Sequence, residues 1–120
     1  MNKCKICYKY KETEEHIFFS CSKLSLIKTS LLKLLRLPIN TYRDLYQGIF
    51  LGITTQDSNT SINHYRQTLF HIYRHTCWGA RVSATFKNTT HTAETLNSTF
   101  IAHAQKFILD KVDGNTLDNL

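Results

Sequence analysis

Three of the four cysteines and one histidine carry the most specific chemistry in this 120-residue chain. Cys4, Cys7, His16 and Cys21 stand in the pattern Cys-x2-Cys-x8-His-x4-Cys. A two-residue gap lets two thiolates reach one ion from a tight turn, and three sulfurs with one imidazole complete a tetrahedral set. Such a set leaves no open position for a catalytic water, so the expected cofactor is one structural Zn²⁺. Three thiolates around Zn²⁺ leave a net negative charge, which neighbouring lysines would partly offset. So short a segment cannot bury enough surface to fold alone, and the metal is expected to fold it. Two disulfides are the other use of four cysteines. The start Met1–Asn2–Lys3–Cys4–Lys5 lacks a signal peptide's apolar stretch, which predicts a reducing, intracellular setting, nucleus or cytoplasm, without secretion. Cys77 lies far away on the apolar side of a helical stretch and reads as a plain buried thiol.

Charge is the second feature. Fifteen Lys and Arg against nine Asp and Glu give +6, a surplus that favours a polyanionic partner. Five of those six net charges fall within residues 1–36, which hold eight basic and three acidic side chains. There Lys3, Lys5, Lys9 and Lys11 interleave with Tyr8 and Tyr10, a mixture suited to phosphate contacts beside base stacking on single-stranded RNA or DNA. A tyrosine packed against the knuckle, or a merely solvated basic face, is the plainer use of the same residues. Arg74 and Arg81 share one edge of a later helix, seven residues apart. They read either as a further phosphate-contacting stripe or as a solvated face.

Between the ligands runs Glu12-Thr13-Glu14-Glu15-His16-Ile17-Phe18-Phe19-Ser20-Cys21. With the Cys4/Cys7 pair, it resembles the zinc-binding domain found C-terminal to the reverse transcriptases of non-LTR retrotransposons. Glu12 and Thr13 match that family's Glu-Thr element, displaced by one residue. His16, Ile17, Phe18 and Cys21 match its His-Leu-Phe-x-x-Cys element, with Ile for Leu. The similarity is sharp over residues 4–21 and becomes a general pattern over 22–88, where Tyr73–Arg81 holds a Trp and an Arg on one helix. Ser22 and Ile27 stand where the family often has Pro and Trp. Only three residues precede Cys4, and no Tyr-x-Asp-Asp-like pair occurs. The resemblance therefore implies the tail of such a protein without its polymerase, either as a short separate frame or as a fragment.

These residues need a scaffold, and the rest of the chain reads as helical. Over 22–37, Leu24, Ile27, Leu31, Leu34 and Leu35 recur at three- and four-residue steps, predicting an amphipathic helix stopped by Pro38. Thr41 with Asp44 approximates a capping box for a second helix reaching about Gly52. Residues 54–60 form a polar loop, the expected internal hinge. A long helix is predicted from Ser61 to Lys87, with Ile62, Tyr65, Leu69, Ile72, Tyr73, Cys77 and Ala80 on its apolar face. His64, His71 and His75 also align there, but His-Ile-Tyr-Arg-His lacks a metalloprotease's glutamate, so they read as ordinary surface histidines. A last helix is predicted over Ala93–Val112, burying Leu96, Phe100, Ala104, Phe107 and Ile108, ended by Asp113-Gly114-Asn115. Three formal glycosylation sequons, at Asn59, Asn88 and Asn97, carry no meaning without export.

The fold class is thus mainly α, a small helical domain with an N-terminal Cys-Cys-His-Cys zinc knuckle. The predicted division is a knuckle over 1–22, about four helices over 23–112 packed with it as one domain, and a frayed tail over 113–120. No apolar run approaches the ~18 residues of a membrane span. Glu14, Glu15, Asp44, Asp57 and Asp110 are scattered, with no phosphate loop and no nucleophile–base signature, so no enzyme and no small-molecule substrate are expected. The leading expectation is a non-catalytic, zinc-stabilised module that binds nucleic acid. The alternatives are a helical interaction module, docking on a reverse transcriptase or on itself, and a decayed retroelement fragment.

Overall fold

The computed structural model describes residues 3–36, 42–52 and 60–119, with side chains placed over 3–36, 43–52 and 61–109. Pro38, the Thr41 half of the expected capping box and the polar loop at 54–59 lie outside the described residues.

The architecture is mainly helical. After an N-terminal loop come one π-turn over His16–Ser20 and one 3-10 turn over Ser22–Leu24. Four α-helices follow: α1 (Ser25–Leu35), α2 (Tyr42–Leu51), α3 (Thr60–Phe86) and α4 (Ala93–Asn119). Helix α1 packs on both α3 and α4, α3 packs on α4, and α2 lies against α3 and the π-turn. One core joins everything: Leu24, Ile27, Leu31 and Leu35 meet Leu69, Phe70, Tyr73 and Cys77 of α3 and Leu96, Phe100 and Ala104 of α4. Cys4, Ile6 and Cys21 enter the same core, so the N-terminal loop and the helices share one interior.

The predicted apolar periodicities mark the buried faces well. On α3, Leu69, Tyr73, Cys77 and Ala80 are buried, Tyr65 and Ile72 partly so, while Ile62 near the helix start stays exposed. The helix ends differ more. The segment expected as one helix over 22–37 opens with a 3-10 turn and stops at Leu35, where Arg36 turns left-handed (φ 51°). Proline disfavours helical backbone in the residue before it, so the helix ends short of the Leu37–Pro38 step. Tyr65 and Arg66 of α3 donate to the carbonyls of Leu34 and Leu35 at 3.4 and 3.1 Å, satisfying acceptors that the helix end leaves unpaired. Helix α4 does not end at Asp113-Gly114-Asn115 but runs to Asn119. One glycine inside a helix costs only about 1 kcal/mol, too little to force a stop.

Two local devices set the remaining positions. Gly48 lets α2 approach α3: a Cβ there would fall inside the Phe70 ring's contact distance. Thr92 caps α4 reciprocally with Thr95, Thr95 N–H donating to Thr92 Oγ1 at 3.1 Å and Thr92 N–H to Thr95 Oγ1 at 2.9 Å.

Candidate metal centre and its surroundings

The loop from Lys3 to Lys11 folds back on itself. Lys3 and Lys11 pair in a single antiparallel bridge, and Cys4 N–H donates to the Tyr10 carbonyl at 2.8 Å. Within the loop, Tyr8 N–H returns to the Cys4 carbonyl at 2.9 Å, and Tyr8 takes a left-handed conformation (φ 59°). That turn brings Cys4 and Cys7 to one side. His16 and Cys21 come from the two ends of the π-turn, whose start is fixed by Thr13: its Oγ1 accepts the His16 N–H at 3.1 Å. The four donor atoms of Cys4, Cys7, His16 and Cys21 all lie within 4.8 Å of one another. Cys4, Cys21 and His16 are buried and Cys7 is half-buried.

The electrostatics suit thiolates. Backbone N–H groups two residues ahead point at each sulfur: Ile6 at Cys4, Lys9 at Cys7 and Lys23 at Cys21. Burial still pushes the Cys4 thiol up, and pushes Cys21 up to about 12, with the neighbouring sulfurs adding to both. Burial raises Cys7 too, but the Lys9 amide, the His16 ring and further hydrogen bonds outweigh it and hold that thiol at about 6. His16 Nε2 faces Cys7 Sγ at 3.2 Å. Sulfur and imidazole donors at this closeness fit a tetrahedral ion, whose ligand atoms stand roughly 3.5–4 Å apart at Zn–S and Zn–N lengths of about 2.3 and 2.0 Å.

Side chains distant in sequence clamp this centre to the helices. Tyr73 of α3 donates its hydroxyl to the Phe18 carbonyl at 2.8 Å. Lys28 of α1 donates to the Phe19 carbonyl at 2.7 Å and sits over the Phe19 ring. Arg81 of α3 pairs with Glu12 at 2.5 Å, and Phe18 stacks on Trp78 with ring centroids 6.4 Å apart.

Several residues singled out for nucleic acid have other engagements. Arg74 is half-buried and donates to the Ile49 carbonyl at 2.8 Å, closing the C-terminal end of α2. Arg81 pairs with Glu12, so both arginines have partners within the fold while remaining partly exposed. Tyr10 packs its ring against His16, centroids 5.6 Å apart, yet remains 61% exposed. Tyr8 is 58% exposed; Lys3, Lys9 and Lys11 are exposed, and Lys5 is half-buried. The loop thus keeps Lys3, Tyr8, Lys9, Tyr10 and Lys11 exposed.

The resemblance had marked Glu12 and the Tyr73–Arg81 stretch with Trp78, but the contacts of Glu12, Lys28, Tyr73 and Trp78 with this centre were not visible in the sequence. Thr13 had a usable signal, since a threonine three residues before the ligand histidine is the spacing of a helix N-cap. Trp78, half-exposed, shares with Lys5, Glu14, Ile17 and Arg81 an open groove of ≈ 460 Å³ beside the cluster.

Fold and site together define a mainly helical chain with an N-terminal Cys/His cluster able to hold a metal ion. No protein-family model, curated protein or solved structure matches the chain. No helix among the described residues is long and apolar enough to cross a membrane.

Proposed function

We propose that Cys4, Cys7, His16 and Cys21 hold one structural zinc ion, and that the loop it fixes is a non-catalytic binding surface for single-stranded RNA or DNA. The module is then related to the zinc-binding tail of non-LTR retrotransposon reverse transcriptases. The observation that carries the reading is the convergence of all four donor atoms within 4.8 Å. Three sulfurs and a nitrogen select zinc over harder ions, and a closed four-ligand sphere supplies structure without catalysis. The exposed Lys3, Lys9, Lys11, Tyr8 and Tyr10 on the same loop support the polyanion, since lysines meet phosphates while a free ring face stacks on an unpaired base.

Native mass spectrometry of the reduced protein should find one tightly held zinc, absent from Cys21→Ser. Oligonucleotide titrations across salt should then show affinity falling with ionic strength, with Lys9→Ala lowering the slope by about 1. Alanine at Tyr8 should weaken single-strand binding by about 1–3 kcal/mol if it stacks. Freely alkylated Cys4, Cys7 and Cys21 would remove the metal reading, and salt-independent or absent binding the nucleic-acid reading.

A protein-interaction role is the second reading. Its support is the exposure of large apolar side chains, Leu51, Phe86 and Leu109 at 66%, 75% and 60%. Isolated exposed apolar residues are ordinary on monomers, so the test is assembly. A concentration-dependent dimer in sedimentation, without oligonucleotide affinity, would favour this role.

A further inference from the structure

We propose that the groove beside the cysteine cluster receives one unpaired guanine base of a single strand, stacked on Trp78 and read by the Glu14 carboxylate. The inference rests on the reading of the N-terminal loop as a single-strand binding surface, and adds a base preference to it.

The groove is built from two distant parts of the chain. Glu12, Glu14 and Ile17 come from the segment between Cys7 and Cys21, and Trp78 and Arg81 come from α3. Its volume of ≈ 460 Å³ lies within the range of small-ligand sites, about 300–1,000 Å³. Trp78 stays 49% exposed although the fold touches its ring twice. Phe18 lies nearly parallel to it, at 15° with centroids 6.4 Å apart, a separation that leaves the two rings strongly offset. Arg81 sets its guanidinium carbon over the ring, 5.3 Å from the centroid. These contacts fix the indole while half of it remains open. A fixed aromatic surface in contact with solvent is what an unpaired base stacks on.

The charged groups divide the work. Arg81 and Glu12 pair with each other, and only 26% and 11% of their side chains is exposed. Lys5 and Glu14 are the other charged side chains of the lining. Lys5 also belongs to the basic loop, so it joins the groove to the residues proposed to meet phosphates. Glu14 is exposed, and its carboxylate repels a phosphate, so it does not serve to hold a backbone. Its use is at a base edge. An ionised carboxylate only accepts hydrogen bonds, through two oxygens side by side. Among the common bases, guanine offers two adjacent donors, N1–H and the N2 amino group, on its Watson–Crick edge. Adenine and cytosine set one amino group beside a ring acceptor, and uracil and thymine flank one N–H with two carbonyls. The carboxylate therefore selects guanine by a two-bond pairing that the other bases replace with an acceptor facing an acceptor.

The test titrates the full chain, reduced and supplied with zinc, with a short oligothymidine and its oligouridine counterpart. Each carries one central guanine, inosine, adenine or cytosine. Trp78 is the chain's single tryptophan, so its fluorescence reports on this groove. The guanine strand should bind about tenfold more tightly than the adenine and cytosine strands and should quench Trp78. Inosine, which lacks the N2 amino group, should lose most of that advantage. Glu14→Gln should abolish the preference, whereas Glu15→Gln should preserve it, since Glu15 is exposed and does not line the groove. Circular dichroism confirms that both variants fold. Binding with equal affinity for all bases would remove the site and leave the loop's nucleic-acid role standing. A preference that survives Glu14→Gln would overturn the assignment of the reading group. Guanine binding without a change in Trp78 fluorescence would take the base off the indole. No binding of any strand would remove both the site and the reading on which it rests.

Discussion

The loop and π-turn over residues 3–21 and the four helices that follow are held together by different forces. Among the helices, apolar burial does the work: Leu24, Ile27, Leu31, Leu35, Leu69, Phe70 and Phe100 are essentially inaccessible to water. Near 25 cal/mol per Å² of buried apolar surface, each such side chain contributes about 1.5–3 kcal/mol. The N-terminal region has little of this. Its interior is Cys4, Ile6, Ile17 and Cys21, and its order comes from amides aimed at sulfurs, one β-bridge and one threonine cap. The contrast teaches that the two regions should respond to different insults, one to metal loss and the other to cavities, although they share one core.

The sharpest way to break the comparison is Cys21→Ser. On the order of 10 kcal/mol of metal-binding free energy is coupled to folding at structural zinc sites, so this variant should disorder residues 3–21. Amide exchange of Ile6 and Ile17 should become fast, while the helical circular dichroism is largely retained. Collapse of the whole spectrum would mean that the helices depend on the metal as well. The converse change, Phe100→Ala, opens a cavity in the core where α1, α3 and α4 meet. It should cost about 3–5 kcal/mol in urea unfolding while metal uptake by the Cys/His cluster is unchanged.

A third effect belongs to the cysteines alone. At pH 7–8 Cys7, held at about 6, is already largely ionised, whereas Cys4 is raised and Cys21 stands at about 12. Metal uptake therefore has to displace about two protons, so affinity should rise about a hundredfold per pH unit in this range and fall likewise on acidification. Calorimetry in buffers of different ionisation enthalpy measures the proton count, and a count near zero would contradict these protonation states. The smallest expected change is at the join between the regions. Tyr73→Phe removes the hydrogen bond to the Phe18 carbonyl and should cost about 1 kcal/mol, because that half-buried carbonyl can turn to water. Exchange should speed up at the π-turn before it changes in α4.

Much of this was legible from residue types and spacing. A two-residue cysteine gap is a statement about local reach, so the Cys4/Cys7 pair could be read without a fold. Helix faces follow from a 3.6-residue period, and α3 and its buried Leu69, Tyr73 and Cys77 appeared accordingly. Helix ends were less legible. The stop at Leu35 rests on cap geometry, and the run of α4 past Gly114 on a glycine penalty too small to act alone.

By itself, then, the sequence determined the Cys/His pattern, the helical class and the basic, tyrosine-bearing loop, because each depends on neighbours close along the chain. Only the tertiary structure decided what the long side chains do. Arg74 went to a carbonyl of α2, Arg81 to a carboxylate 69 positions away, and His75 to the rim of a cavity shared with His91 and His103. A long polar side chain pairs with whichever complementary group the fold brings within about 3 Å. That choice is made by the packing of α2, α3 and α4, which no periodicity along one helix encodes.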